Sequence, residues 1–348
     1  MATVDVTVMG AGIFGLSVAW ACARRGARVL VVDPTDSKRC SSRGLVGALS
    51  PHTPERWEPK KQFQFESLIM ARQFWQEVDG LSGLGSGYGR VGRLQPISNQ
   101  HTLDLAVERI GQAAELWKGQ ALWEVRPEGD FEGWVPPSPT GMVIHDTLSA
   151  RMDPRRAGAS LKRALSRLGV EIVAKATPKG SVVWATGYLG LLEMSQEFGQ
   201  EVGNGVKGQS VLLRYDRNQA PQIFAEGVHF VPHDNGTLGI GSTSERYFDD
   251  VSSTDQLLDD LLNKAQKTMP QLLNAPVLEK WAGVRPRAIT RAPMLGDYPG
   301  RSGEFVANGG FKIGFGMAPK VAEVMADLVL EKADNIPPEF KVEASLAD

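Results

Sequence analysis

VDVTVMGAGIFGLSVAWACARRGARVLVVDP, residues 4–34, changes character four times. Residues 4–9 are β-branched and alternating, the pattern of a short buried strand. Residues 13–25 set apolar side chains at helical spacing and stop at Gly26. Residues 28–32 form a second strand that ends on Asp33. Between the first strand and the helix, Gly10, Gly12 and Gly15 fall in the spacing G-x-G-x-x-G. Gly10 permits the tight turn, Gly12 lets backbone N–H groups approach a pyrophosphate, and Gly15 lets the helix pack close to the strand. The helix N-terminus favours the phosphate charge. Asp33, 18 residues beyond Gly15, is placed to accept hydrogen bonds from an adenosine ribose. The order strand, turn, helix, strand, acid makes this a dinucleotide-binding unit, with Gly10, Gly12, Ile13, Phe14 and Gly15 around the phosphates. The turn alone does not separate NAD from FAD.

The composition removes several other classes. The chain has 348 residues, enough for two domains or one large one. It is 42% hydrophobic and 22% charged, ordinary for a globular protein with a real core. A net charge of −2 gives no electrostatic case for nucleic acid or an anionic membrane. Cys22 and Cys40 are the only cysteines, which is no disulfide framework and fits a reducing cytoplasm. No secretory signal and no membrane span are expected, since no run approaches the roughly 18 apolar residues a span needs. The five histidines, at 52, 101, 145, 229 and 233, make no metal-binding spacing, and no metal is expected.

A second glycine-rich turn lies near the other end, in EFVANGGFKIGFGMAPKVAEVMADLVL (304–330). It reads as a strand, a loop with Gly309, Gly310, Phe311, Lys312, Ile313 and Gly314, and a helix from about Ala318. Such a turn has no place in a simple NAD fold, and it suits a helix N-terminus aimed at a flavin ring. Between the two lies GSVVWATGYLG (180–190), a buried strand ending in Ala185, Thr186 and Gly187.

In that order the three turns resemble the FAD-dependent D-amino-acid oxidase family, which includes glycine oxidase, sarcosine oxidase and D-amino-acid dehydrogenases. The resemblance covers most of the chain. It rests on GAGIFG (10–15) with Asp33, CSSRGLVGALSP (40–51), ARMDPRRAGASLKRALSRLGVEI (150–172), VVWATG (182–187), and GVRPRAITRAPMLG (283–296) followed by the glycine loop. It implies an α/β (α+β overall) fold: a Rossmann-like FAD-binding domain from residues 1–50, 146–199 and 301–348. An antiparallel-sheet substrate domain, 51–145 and 200–300, is inserted in it. Two departures stand out. Arg291 sits where many relatives have Asp. Only eight residues separate GVEIV (169–173) from VVWATG, where many relatives insert a small β-meander.

The resemblance also distributes roles. Ser41, Ser42 and Arg43 match the family's polar loop against the pyrophosphate and ribityl chain, and Gly47, Ala48 and Leu49 would run beside the flavin ring. Arg285 matches the arginine that clamps the substrate carboxylate, a task suited to a planar guanidinium; a structural arginine bridging two loops is the other reading. Arg287 and Arg291 read as surface or tethering residues. His229 stands where relatives often carry an active-site aromatic, and both a substrate-facing and a packing role are open. Lys312 is placed either to stabilise the reduced flavin near N1/C2=O, to meet the substrate carboxylate, to assist oxygen, or to face solvent. His52 follows the flavin loop with or without a role.

The implied chemistry is oxidation of a C–N bond in a D-amino acid, glycine or N-methyl amino acid. Hydride passes to flavin N5, and the imine is hydrolysed. No dedicated acid–base pair is needed: the protein supplies position, a carboxylate clamp and a dry pocket. Non-covalent FAD is expected, because the attachment residues of relatives are missing. The acceptor could be O2, a quinone or an electron-transfer protein. A non-catalytic flavin-binding subunit and an NAD-dependent dehydrogenase are the competing readings. Oligomeric state is unreadable.

Overall fold

The computed structural model describes residues 4–34, 40–131 and 133–346. Their seven helices and sixteen strands are numbered here in chain order.

The opening stretch folds as β1 (Val6–Met9), α1 (Ile13–Arg24) and β2 (Val29–Val32), two residues shorter at the first strand than its β-branched run suggests. β1 becomes the middle of a six-stranded sheet with β8 (Glu171–Val173), β9 (Ser181–Trp184), β15 (Met294–Asp297) and β16 (Glu304–Asn308). The order is β15-β16-β9-β1-β2-β8. All neighbours are parallel except the edge pair β15–β16. Val6 and Val8 are fully buried, as expected for a parallel sheet covered by helices. Strand order reverses at β1: the chain moves outward to β2 on one side and to β9 on the other. The gap between β1 and β9 is therefore the switch point where ligands of such sheets bind. Residues 174–180 carry no strand between β8 and β9.

The cover over this sheet comes from both ends of the chain. α1 packs on α7 (Gly314–Ala326) and on α4 (Pro154–Arg167), and the long α2 (Pro59–Ser82) packs on α7 and α4. α4 begins where Asp153 accepts hydrogen bonds from the Arg155 and Arg156 N–H groups, with Pro154 already at a helical φ. α7 starts at Gly314, four residues before the Ala318 expected from sequence. Glycine content argues for a loop, but first-turn N–H groups need no partner inside the helix, and Met317 N–H already reaches Ile313 O at 3.0 Å.

The second sheet has eight strands: β4 (Arg93–Pro96), β5 (Trp123–Pro127), β6 (Met142–Asp146), β10 (Gly203–Arg214), β11 (Gln222–Ala225), β12 (Val228–Pro232), β13 (Thr237–Gly241) and β14 (Val277–Ala288). Its order is β14-β10-β13-β12-β11-β4-β6-β5, antiparallel except for β11–β4. Residues 227–242 form the expected hairpin: β12 and β13 pair antiparallel, with Gly236 at positive φ in the turn. One face carries Val211, Leu213, Phe230, Leu238 and Ile240, packed with Leu258 and Ala265 of α6 (Gln256–Thr268). α3 (Gln100–Leu116) flanks β5, and α5 (Gly187–Phe198) packs on β10 and β14. A ribbon of β3 (Gly47–Leu49) and β7 (Ala150–Met152) joins the two sheets.

Candidate active site

Three glycine turns meet at the C-terminal ends of β1, β9 and β16. A Cβ on Gly10, at φ +108, would lie 2.4 Å from the Ala185 carbonyl oxygen, and one on Gly15 would lie 2.0 Å from Gly10 O. A Cβ on Gly310 would stand 3.0 Å from the Phe14 ring. Asn308 ties the second and third turns, donating to Gly187 O at 2.9 Å and accepting from Gly309 N–H at 2.8 Å. The glycines are therefore required by close backbone approach. The α1 N-terminus opens at this point, where Ser42 Oγ accepts the Ile13 N–H at 3.0 Å and helical bonding begins with Leu16 N–H to Gly12 O.

A cleft of about 140 Å³ leads from that N-terminus along Ala11, Ile13, Asp33, Cys40, Ser42 and Arg43. Its other wall is one face of α4, formed by Arg155, Gly158, Ala159 and Lys162. These residues recur at helical spacing, so the sequence shows that they share a face but not what that face meets. Asp33 offers acceptors suited to ribose hydroxyls, and Arg43, Arg155 and Lys162 surround a region suited to phosphate. Arg155 is held by Glu279 and by the Arg43 carbonyl. Burial pushes the Cys40 thiol pKa up, so the thiol stays protonated. This cradle fits the adenosine diphosphate part of a dinucleotide.

Gly47, Ala48 and Leu49 pair with Met152, Arg151 and Ala150, and a Cβ on Gly47 would fall 2.0 Å from Met152 O. Leu45 O lies against Gly239, and Val46 against Gly241. Segment 40–49 thus runs from the nucleotide cleft to the β12–β13 hairpin, with Cys40 bridged to Val284 of β14.

Arg285, His229 and Lys312 converge beyond it. Arg285 leaves β14 and donates to Ser242 Oγ at 2.6 Å and Thr243 O at 3.2 Å, both neutral oxygens. Among the described residues no carboxylate lies within ion-pair distance of it or of Lys312. Burial pushes the Arg285 pKa down to about 10, against the pull of Glu245. His229 pairs with Gly241, next to Ser242, and its ring lies 4.6 Å from that of Phe224. Its Nδ1 has no hydrogen-bond partner among the described residues. Burial, then the charges of Arg93, Lys312 and Arg285, holds its pKa down to about 3, so the ring is neutral at ordinary pH.

The Gly309–Ile313 turn reaches this group because Phe311 N–H donates to Pro286 O at 3.0 Å. Lys312 Nζ stands 5.6 Å from the Phe311 ring centroid, and Arg287 lies over the same ring at 5.9 Å. Solvent reaches the Lys312 side chain, yet the surrounding protein and the Arg285 charge lower its pKa. His52 is turned elsewhere, bound through N–H and Nδ1 to Gln64 of α2. Arg291 is exposed at the surface. The arrangement offers an anion a desolvated fork, a neutral imidazole and a second cation, at the end of a dinucleotide cleft.

The family model described as FAD dependent oxidoreductase matches residues 5–328. The bifunctional protein ThiO/ThiG of Nostoc sp. is 25% identical, over 96% of this chain and 54% of its own length. The chain therefore spans about half of that relative. The glycine oxidase of Pseudomonas aeruginosa is 26% identical over 96% of each chain. Among solved structures, a glycine oxidase from Geobacillus kaustophilus superposes with a TM-score of 0.82 at 20% identity, over 97% of this chain and 98% of that one.

Proposed function

This chain belongs to the FAD-dependent oxidoreductase family, and from that premise we propose that it oxidises the C–N bond of a small amino acid: glycine, an N-methyl amino acid or a D-amino acid. The observation that carries the reading is Arg285, a half-buried guanidinium bonded, among the described residues, only to neutral oxygens where the cofactor turn meets the second sheet. Such a fork binds a carboxylate by two parallel hydrogen bonds. Names of relatives such as glycine oxidase agree with it.

Gly10–Gly15, Asp33, Ser41–Arg43, Gly47–Leu49, Ala185–Gly187 and Gly309–Gly314 would hold FAD, with Arg155 and Lys162 added by α4. When bound, FAD supplies the hydride acceptor for the substrate α-carbon. Arg285 fixes the carboxylate and so fixes the α-carbon relative to the turns. His229, neutral and packed on Phe224, would shape the wall of the site without adding a charge. Lys312 adds positive charge where the third turn meets the pocket. An NAD-dependent dehydrogenase would have no use for that third turn, and a subunit without turnover would have no reason to keep Arg285 desolvated.

We assign residues 1–50, 146–199 and 301–348 to the FAD-binding domain and 51–145 and 200–300 to the substrate domain. Two elements of the second range, β15 and α2, pack on the parallel-sheet side, β15 as its edge strand and α2 against α7 and α4. Among the described residues no helix is long and apolar enough to cross a membrane. We place the protein in the cytoplasm, where Cys22 and Cys40 would remain free thiols. O2, a quinone or an electron-transfer protein completes the turnover.

Anaerobic addition of glycine, sarcosine and D-alanine to the FAD-loaded protein tests the reading. Bleaching of the visible flavin band by at least one of a broad amino-acid set is expected. Failure of every amino acid to bleach it overturns the substrate class.

A further inference from the structure

Arg285 is held by the β10–β14 pair and by the residues that follow β13. β14 and β10 pair so that Arg285 faces Val206 and Gly283 faces Gly208. The Arg285 side chain lies back across β10, directly over Gly208. A Cβ on Gly208 would fall 1.9 Å from Nη2 and 2.2 Å from Cζ. The Gly208 backbone is not at positive φ, so its conformation does not call for glycine; the space does.

The other side of the guanidinium rests on Ser242 Oγ and Thr243 O. Residues 243–245 run beside β10: Gln209 and Thr243 exchange backbone and hydroxyl bonds, and Lys207 and Glu245 exchange N–H to O bonds of 2.9 Å. The Thr243 hydroxyl accepts the Gln209 N–H at 2.8 Å and donates to Glu245 Oε1. Its carbonyl is the atom that faces Arg285. Glu245 Oε1 also accepts from Gln209 Nε2 at 3.1 Å, and Gln209 is fully buried. Lys207, 2% exposed, places Nζ 3.9 Å from Glu245 Oε2 and 3.7 Å from Asp255 Oδ2.

Backbone pairing alone would hold this strand. Burying Glu245 and Lys207 beside it is a costly way to gain stability. It is an effective way to fix one rotamer and one carbonyl direction. We propose that Gly208 and Glu245 are positioning residues for Arg285: Gly208 leaves the seat its guanidinium occupies, and Glu245 locks the Ser242–Thr243 oxygens that aim it at the substrate carboxylate. The inference rests on the reading of Arg285 as the carboxylate clamp.

Benzoate binding to the FAD-loaded protein, followed by the perturbation of flavin absorbance, tests it in Gly208→Ala, Glu245→Ala, Glu245→Gln and Arg285→Lys. Gly208→Ala and Glu245→Ala should each weaken benzoate about tenfold or more, the scale of one misaligned charged hydrogen bond. FAD content should stay at the parent level. Glu245→Gln should recover most of the loss, because its amide oxygen still accepts the Thr243 hydroxyl. A structural role alone would lower Tm in both Glu245 variants without moving the benzoate Kd. Parent-like Kd in folded Gly208→Ala and Glu245→Ala overturns the proposal while Arg285→Lys still loses benzoate. If Arg285→Lys also binds benzoate normally, the clamp reading itself falls. Should Glu245→Ala not fold, Gly208→Ala decides, and parent-like affinity there overturns it.

Discussion

Arg285 and His229 show how burial turns ordinary side chains into instruments. Arg285→Lys replaces a planar fork by a point charge. It should cost about 2–5 kcal/mol in carboxylate binding with FAD content unchanged, measured by benzoate titration against absorbance at the flavin band. His229 acts through the charge it does not carry. Its folded pKa, about 3, lies below the 6.5 of the free ring, so the unfolded chain binds more protons between those values. Stability from this residue is complete above pH 6.5 and is lost as pH falls toward 3. By pH 5.5 the loss is about 1 kcal/mol. Urea midpoints at pH 7.5 and 5.5 should therefore differ less in His229→Leu than in the parent, and an equal difference would show that the ring does not titrate on unfolding. Lys312→Met should weaken sulfite binding to the FAD-loaded protein by about 5–150-fold. Unchanged sulfite affinity would remove its charge from the site.

Elements differ in how far the sequence discloses them. The Gly10–Asp33 unit is legible because every part of its signal is contiguous: alternation, glycine spacing, helical period and a terminal acid. The start of α7 is misread for the opposite reason, since Gly314 and Gly316 look like loop until the Ile313 carbonyl is seen to accept from Met317. Arg285 is singled out by family resemblance, whereas Gly208 and Glu245 carry no local mark. Their meaning comes from the β10–β14 register and from the segment after β13, pairings between residues far apart in the chain. The face of α4 toward the nucleotide cleft lies between these cases: its period is visible, but what it faces is not. At this scale the sharpest expectation concerns α1. Gly15→Ala would set a methyl 2.0 Å from Gly10 O and push the helix off β1. A loss of about 1–3 kcal/mol in stability and a clear fall in bound FAD should follow, read by Tm and by the ratio of flavin to protein absorbance. Full FAD occupancy in the variant would mean that the helix can retreat without cost to the cradle.

At the scale of the whole molecule, cofactor and fold are linked. The turns that form the cradle are also the places where β1, β9 and β16 are stitched together, so a ligand bound there favours the folded state by mass action. FAD at about 100 times its Kd adds about 2.7 kcal/mol, and Tm should climb with added FAD. The purified protein should be yellow, and acid or heat should release the colour into the supernatant; colour that stays with the precipitate would mean a covalent bond. The topology has a further consequence, for synthesis. β9 lies between β1 and β16, and α1 packs on α7, so the unit β1–α1–β2 waits for β16 and α7 to be made before its core can close. Until then α1 exposes Ile13, Leu16, Val18 and Trp20 to whatever is nearby. A nascent chain of this design cannot complete its cofactor cradle until β16 and α7 have emerged, and until then the apolar face of α1 is what most needs a chaperone's protection.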